Sequence, residues 1–341
     1  MSMLSTAATQ KQTQQERIIT LGQAIREALA EEMRRDPRIF ILGEDVAEAG
    51  TPFKVLSGLV EEFGPDRVID SPISEQGITG IGVGAAMTGM RPIVDIMFGD
   101  FLGLAMDQIF NQAAKVHYMS GGKLQVPMVV RTTLGATRRT AAQHSQSLHA
   151  WVSHIPGLKV VLPSTPYDAK GLLKTAIRDD NPVVFFEDKM MYQLKGAVPE
   201  GDYTIPFGVA DIKRPGTDIT IVATSSMVQV ALAAAELLEK VDISAEIIDP
   251  RTMFPLDKQT LIDSARKTSR AIVIDEGYER YGVTAELAAI IADGAFYYLD
   301  APVKRMGAMD VPIPFSPVLE DLTVPTPEKV TALAKTLCGR I

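Results

Sequence analysis

Three short stretches of this 341-residue chain hold side chains that do chemistry. Glu75 closes the run Asp70-Ser71-Pro72-Ile73-Ser74-Glu75, just ahead of a glycine-rich segment. A carboxylate there can exchange a proton with a bound ring, or simply complement the positive end of a helix. His144 sits in Ala141-Ala142-Gln143-His144-Ser145-Gln146, a polar stretch after a strand. It is either a proton-transfer group active near neutral pH or an ordinary loop histidine. Asp100-Phe101 follows an apolar run and could be no more than a helix start. The other histidines are His117, His149 and His154. Steps of five residues turn a helix by roughly 140°, so His144, His149 and His154 cannot line one face as a metal cluster. The one cysteine, Cys338, closes no disulfide within the chain and builds no thiolate metal site.

Gly80-x-Gly82-x-x-Ala85 fits a dinucleotide fingerprint, with Asp100 roughly twenty residues on. That mechanism needs a strand ending at the first glycine, and Ser74-Glu75-Gln76-Gly77-Ile78-Thr79 is not one. The small residues Gly77, Gly80, Gly84 and Ala85 suit a helix packed closely against another backbone, as at a subunit contact.

These residues must be held by something, and the pattern around them supplies it. Apolar residues at helical spacing predict Leu21–Arg35, Lys54–Phe63, Gln76–Met90, Phe101–Met119 and Tyr167–Arg178 as helices. Between them Arg38–Leu42, Arg67–Asp70, Pro92–Phe98, Met128–Thr132, Lys159–Leu162 and Val183–Glu187 read as buried strands. This alternation predicts an α/β fold, a mostly parallel sheet covered on both faces. It breaks at 195–216 into Pro, Gly and charge, then restarts and runs to a last helix near Thr326–Leu337. Two doubly wound domains are therefore expected, over 17–194 and 217–341, with 195–216 as the linker and 1–16 as a floppy tail.

Composition excludes several roles. Hydrophobic residues make up 46% and charged residues 22%, as in a packed globular protein rather than a disordered one. Thirty-four Lys and Arg against 42 Asp and Glu give a net charge of −8, a poor match to a nucleic-acid backbone. No apolar run reaches the ~20 residues of a membrane span. The first sixteen residues have neither the apolar core of a secretory signal nor any arginine. With the single cysteine, this points to a reducing, cytoplasmic setting.

Taken in order, the blocks IDSPISEQGITGIGVGAAMTGMRPI, FGDF, DQIFNQAAK, YMSGG, AAQHSQ, IPGLKVV, PSTPYDAKGLL and AIRDDNPVVFFE resemble one family. RTMFPLD, IDEG and DVPIPFSPVLED extend the resemblance from about Ile18 to Cys338. It is to the beta subunits of the decarboxylating first component of 2-oxo acid and acetoin dehydrogenase complexes. The resemblance implies a transketolase-like pyrimidine-binding domain, a transketolase C-terminal-type domain and thiamine diphosphate as cofactor. It gives Glu75 the proton shuttle to the pyrimidine ring nitrogen, with Glu44 in the same proton network. Phe101 is implied as the aromatic ring against the pyrimidine, Ile73 as its apolar neighbour, and His144 as the group facing the reacting carbon. Met128, Ala176, Ile177, Asp179 and Asn181 match a structural monovalent-cation site, with K+ as the ion.

The family's G-D-G motif, which holds Mg2+ and the diphosphate, is missing: Gly99-Asp100 is followed by Phe101, and Gly201-Asp202 by Tyr203. The resemblance therefore implies an alpha subunit that supplies Mg2+ and the other half of the site in an α2β2 tetramer, and a lipoyl acyltransferase core as acyl acceptor. The C-terminal half of a split transketolase and a non-catalytic α/β scaffold are the alternatives. The blocks SGGKLQVP and VPEGDYTIPFG look more like acetoin-type than pyruvate-type chains, whereas Arg138 and Arg139 could bind a substrate carboxylate or face the partner subunit.

Overall fold

The computed structural model describes residues 17–339, so the tail expected over 1–16 lies outside the described residues. In chain order the strands are β1 (Ile18–Thr20), β2 (Ile39–Gly43), β3 (Val68–Asp70), β4 (Arg91–Ile96), β5 (Val129–Leu134), β6 (Lys159–Val161) and β7 (Val183–Asp188). They continue as β8 (Lys195–Ala197), β9 (Asp211–Arg214), β10 (Ile219–Ala223), β11 (Ala245–Asp249), β12 (Thr252–Phe254), β13 (Ala271–Tyr278) and β14 (Lys304–Ala308).

Seven strands in the order β12-β6-β7-β5-β4-β2-β3 form the N-terminal sheet, and five in the order β14-β13-β10-β11-β9 form the C-terminal one. Every pairing in both sheets is parallel except at one edge of each, where β12 and β9 run antiparallel. The sheets are thus mixed rather than purely parallel. A third, two-stranded sheet pairs β1 with β8.

Alternation within buried strands explains the layering. Val183 and Phe185 face a core built with the Leu21–Arg35 and Pro166–Arg178 helices, while Val184 and Phe186 face another built with the Glu75–Met87 helix. Side chains two apart share a face, so a run of four apolar residues serves both layers. In the second sheet Ile219 and Ile221 face one core and Val222 the other.

The stretch read as a linker, 195–216, contributes two strands: β8, which closes onto β1, and β9, which edges the C-terminal sheet. β12 comes from beyond β11 yet pairs with β6, so the later half of the chain completes the earlier sheet. Charge fastens the same seam: buried Asp168 holds Lys213 at 2.5 Å and Arg251 at 2.7 Å. Two predicted helices are shorter or broken. Lys54–Phe63 is helical only over Leu59–Phe63, and Phe101–Met119 is divided into a 3-10 turn, an α-helix, a π-helical turn and a final α-turn.

Candidate active site

The chain leaves β2 for β3 on one side and returns across it to β4 on the other. Ligands of open α/β sheets bind beyond the carboxyl ends of strands at such a reversal. The predicted residues gather there. Glu44 follows β2, Ile73 and Glu75 follow β3, Phe101 follows β4, and His144 lies on the long loop after β5.

Glu75 opens its helix, with Ser74 as the cap whose hydroxyl accepts from the Gly77 N–H at 3.3 Å. The glycines of the suspected dinucleotide motif lie inside this helix, not at a strand end, which removes the mechanism that motif needs. Gly82 lets the helix settle on the sheet, since a Cβ there would stand 2.5 Å from Val94 and 2.9 Å from the Met128 sulfur. The Glu75 side chain is buried, and no donor among the described residues hydrogen-bonds its carboxylate. A buried carboxylate without a donor costs free energy that a ligand's N–H recovers. Burial, then the charges of Asp45 and Glu75, push the Glu44 carboxyl above its usual range. The Glu44 carboxyl therefore feels the charge of Glu75 across the mouth of the sheet.

On the other side of the reversal three rings meet. His144 packs edge-on against Phe98, with centroids 4.6 Å apart, and against Phe101 at 5.4 Å. The arrangement extends through Phe98 to Phe53 at 5.8 Å, over which Arg138 stacks. No described residue hydrogen-bonds a ring nitrogen of His144, so both stay available. Asp100 ties the two loops together by accepting from the Gln146 N–H at 3.1 Å, while its second oxygen is buried without a partner. The helix carrying Glu75 packs on the one that follows Phe101, which links the two halves of the site. Ile73 is 73% exposed, on the open side of the site.

Ala176, Ile177, Asp179 and Asn181 follow one another at the end of the Pro166–Arg178 helix, and Met128 is tied to this segment through the Val183 N–H. Donors already serve several of these groups. Arg91 donates to the carbonyls of Ile177, at 2.9 Å, and Asp179. Lys159 pairs with the Asp179 carboxylate, and the Val183 N–H reaches the Met128 carbonyl at 2.9 Å. Two positive side chains thus stand where a cation was expected, so the donor set fits such an ion only in part.

Arg139 is committed elsewhere: it binds Glu320 at 2.6 Å and Asp321 at 2.7 Å. Arg138 pairs with no carboxylate among the described residues. Sequence reasoning missed Phe53, Phe98 and Lys189. Phe98 precedes the Gly-Asp-Phe turn and could have been flagged by it, whereas Phe53 and Lys189 reach the site through folding alone.

Comparison with known proteins shows the family of both domains. The model of the transketolase pyrimidine-binding domain matches residues 17–195, and that of the transketolase C-terminal domain matches 208–330. The beta subunit of acetoin:2,6-dichlorophenolindophenol oxidoreductase from Bacillus subtilis (strain 168) is 51% identical, covering 95% of this chain and 98% of its own. The chain belongs to the transketolase-like dehydrogenase beta subunits. Within that family, the Rickettsia felis pyruvate dehydrogenase E1 component subunit beta is 49% identical over 94% of this chain and 98% of its own. The 2-oxoisovalerate dehydrogenase subunit beta of Bacillus subtilis (strain 168) is 48% identical, over 92% and 97%. A solved structure titled split gene transketolase, inactive beta4 tetramer, superposes with a TM-score of 0.74 at 24% identity, covering 94% of this chain and 98% of its own. That likeness concerns the fold alone. Identities near one half favour the dehydrogenase subunits over a split transketolase.

Proposed function

We propose that this chain is the pyrimidine-binding half of a thiamine diphosphate-dependent dehydrogenase acting on acetoin or pyruvate. It works with an alpha subunit in an α2β2 assembly, and the acyl group passes to a lipoyl acyltransferase core. The observation that carries the reading is Glu75, a buried carboxylate with no donor among the described residues, set beside a reversal point and an aromatic-flanked histidine.

Thiamine diphosphate, when bound, supplies a nucleophilic carbon and an electron sink. The chain's own residues prepare it. Glu75 would share a proton with the pyrimidine ring nitrogen, donating it as the carboxylic acid and accepting the N–H once the ring holds it, in a site where burial keeps water from competing. Glu44, whose carboxyl burial and the neighbouring acids push above its usual range, belongs to the same proton network. Phe101 offers a ring to the pyrimidine and Ile73 an apolar edge. His144, fixed between Phe98 and Phe101, presents its free nitrogens to the substrate and moves protons there. Mg2+ and the diphosphate belong on this reading to the alpha subunit, because this chain has no G-D-G sequence. K+ at the Met128–Asn181 cluster takes part in no step. A cytoplasmic setting is consistent with the single cysteine, and no helix among the described residues is long and apolar enough to cross a membrane.

Arg138 favours the 2-oxo acid branch of the substrate range, since an unpaired guanidinium can receive a carboxylate bidentately. Reconstitution with the alpha subunit and turnover of acetoin, pyruvate and branched 2-oxo acids tests the proposal. Mg2+-dependent cofactor binding and turnover should require both chains. Micromolar cofactor binding by this chain alone would refute the half-site reading.

A further inference from the structure

The loop that carries His144 takes its shape from the other domain. Thr137 (φ +68°), Arg139 (φ +62°) and Ala141 (φ +60°) all hold left-handed backbone. Such backbone is strained for a residue with a Cβ and persists only where its surroundings over-determine it. The C-terminal domain supplies those surroundings. Glu276, on β13, accepts from the Ala136 N–H with one oxygen and from the Ser226 hydroxyl, at 2.8 Å, with the other. Glu320 accepts from the Thr137 N–H at 2.7 Å and from the Arg139 guanidinium at 2.6 Å. Asp275, next to Glu276, meets Nε2 of His149 at 3.1 Å. The loop is thus gripped at its start and its end.

Gly135 marks how close the approach is. With φ +103°, a Cβ there would stand 2.8 Å from Glu276 Oε1 and 3.0 Å from Asp188 Oδ2. Within the N-terminal domain, Lys189 donates to the His144 carbonyl at 2.9 Å and Thr140 does so at 3.0 Å. Glu276, Glu320 and Asp275 are all buried, at 7%, 0% and 2% exposure. Burying three carboxylates is expensive, and packing alone would be served as well by apolar side chains. What carboxylates add is direction: each receives a particular loop N–H or side chain.

We propose that Asp275, Glu276 and Glu320 are positioning residues, through which the C-terminal domain fixes His144 against Phe98 and Phe101 for proton transfer to the substrate. The proposal rests on the placement of His144 at the reacting centre. It makes Arg139 a tether of the loop and leaves Arg138 alone to meet a substrate.

The test is a double-mutant cycle on acyl transfer to an added lipoyl domain by the complex of this chain with its alpha subunit, using whichever substrate it turns over. Glu276→Ala should lower kcat by about 10- to 100-fold, the scale of a misplaced catalytic group. In a His144→Ala background the same change should cost less than about 2-fold, because residues acting as one unit are not additive. Glu276→Gln, whose amide keeps an acceptor for Ala136 and a donor for Ser226, should restore kcat to within about 3-fold. Equal losses in both backgrounds, or a Gln variant as poor as Ala, would overturn the proposal. Should Glu276→Ala fail to fold, Arg139→Gln, whose side chain is 35% exposed, runs the same cycle with the same criteria. Full turnover by His144→Ala would defeat the site reading and this proposal together, whereas a loss there with multiplicative effects defeats the positioning role alone.

Discussion

Arg131 lies on β5 between two acids, Asp95 on β4 and Glu187 on β7, with side-chain exposures of 4%, 6% and 0%. It meets Glu187 through Nε at 2.5 Å and through a second nitrogen at 2.7 Å, and it also binds Asp95. The Tyr192 hydroxyl donates to Glu187 at 2.8 Å, and its ring packs on Phe53, so the cluster underpins the aromatic row that reaches His144. Arg131→Met keeps the stem and removes the charge that two buried carboxylates depend on. Removing one partner from a buried ion pair costs about 3–5 kcal/mol, and here two acids are orphaned, which places the expected loss toward the upper end. Burial already pushes Asp95 and Glu187 upward against the pull of Arg131. Without it, both folded-state pKa values rise further above their unfolded values. Such groups contribute stability at low pH that is lost as pH rises through the folded pKa. The variant should therefore be most destabilised at pH 7.5 and recover part of the loss at pH 5.5. Trp151, the one tryptophan, lies in the N-terminal domain, so its fluorescence during urea unfolding reports on the right unit. A loss below about 1 kcal/mol at pH 7.5, or one that is the same at both pH values, would show that the two acids do not depend on Arg131.

Three further outcomes are expected. Asp249 is raised to about 6 by burial and then by the charge of Asp168, with Lys213 opposing. Its ionisation thus costs stability as pH rises from 4 to 6, and Asp249→Asn should gain up to about 3 kcal/mol at pH 7 and almost nothing at pH 4 by urea titration. Within the Glu75–Met87 helix, Gly82→Ala should cost about 1–3 kcal/mol by overpacking Val94 and Met128. Gly84→Ala, with nothing within 4 Å of the new Cβ, should gain up to about 1 kcal/mol in thermal unfolding of the unassembled chain.

What could be read from the sequence follows from how local each signal is. Apolar runs such as Val183–Phe186 identify central strands because both faces are buried, and the spacing in Leu21–Arg35 identifies a helix with one buried stripe. β9 escaped because Asp211, Lys213 and Arg214 read as linker, although charge on an edge strand is how an edge avoids pairing with strangers. β12 escaped because three residues with an exposed Phe254 carry no period, and its partner lies in the other domain. The helix after Phe101 looked continuous, and nothing in Gln108–Ala113 announces a π-helical turn. At the site, Glu75 and His144 had plain alternatives until the whole series of blocks was considered. The grip of Glu276 and Glu320 on the His144 loop spans 140 and 183 residues of sequence, beyond the reach of any local pattern.

Glu75→Gln separates proton exchange with the cofactor's pyrimidine ring from a helix-start role. As a helix-start residue alone, Glu75 contributes at most about 1 kcal/mol, and its loss would leave catalysis unchanged. As the proton shuttle it cannot be replaced by Gln, which can hydrogen-bond but cannot carry the proton. Deuterium exchange at the reactive thiazolium carbon, followed by NMR after rapid acid quench in the complex with the alpha subunit, measures the step itself. Exchange in the variant should be slowed by about 10²- to 10⁴-fold in an assembly that remains folded. An exchange rate equal to that of the parent would show that Glu75 is not the proton shuttle.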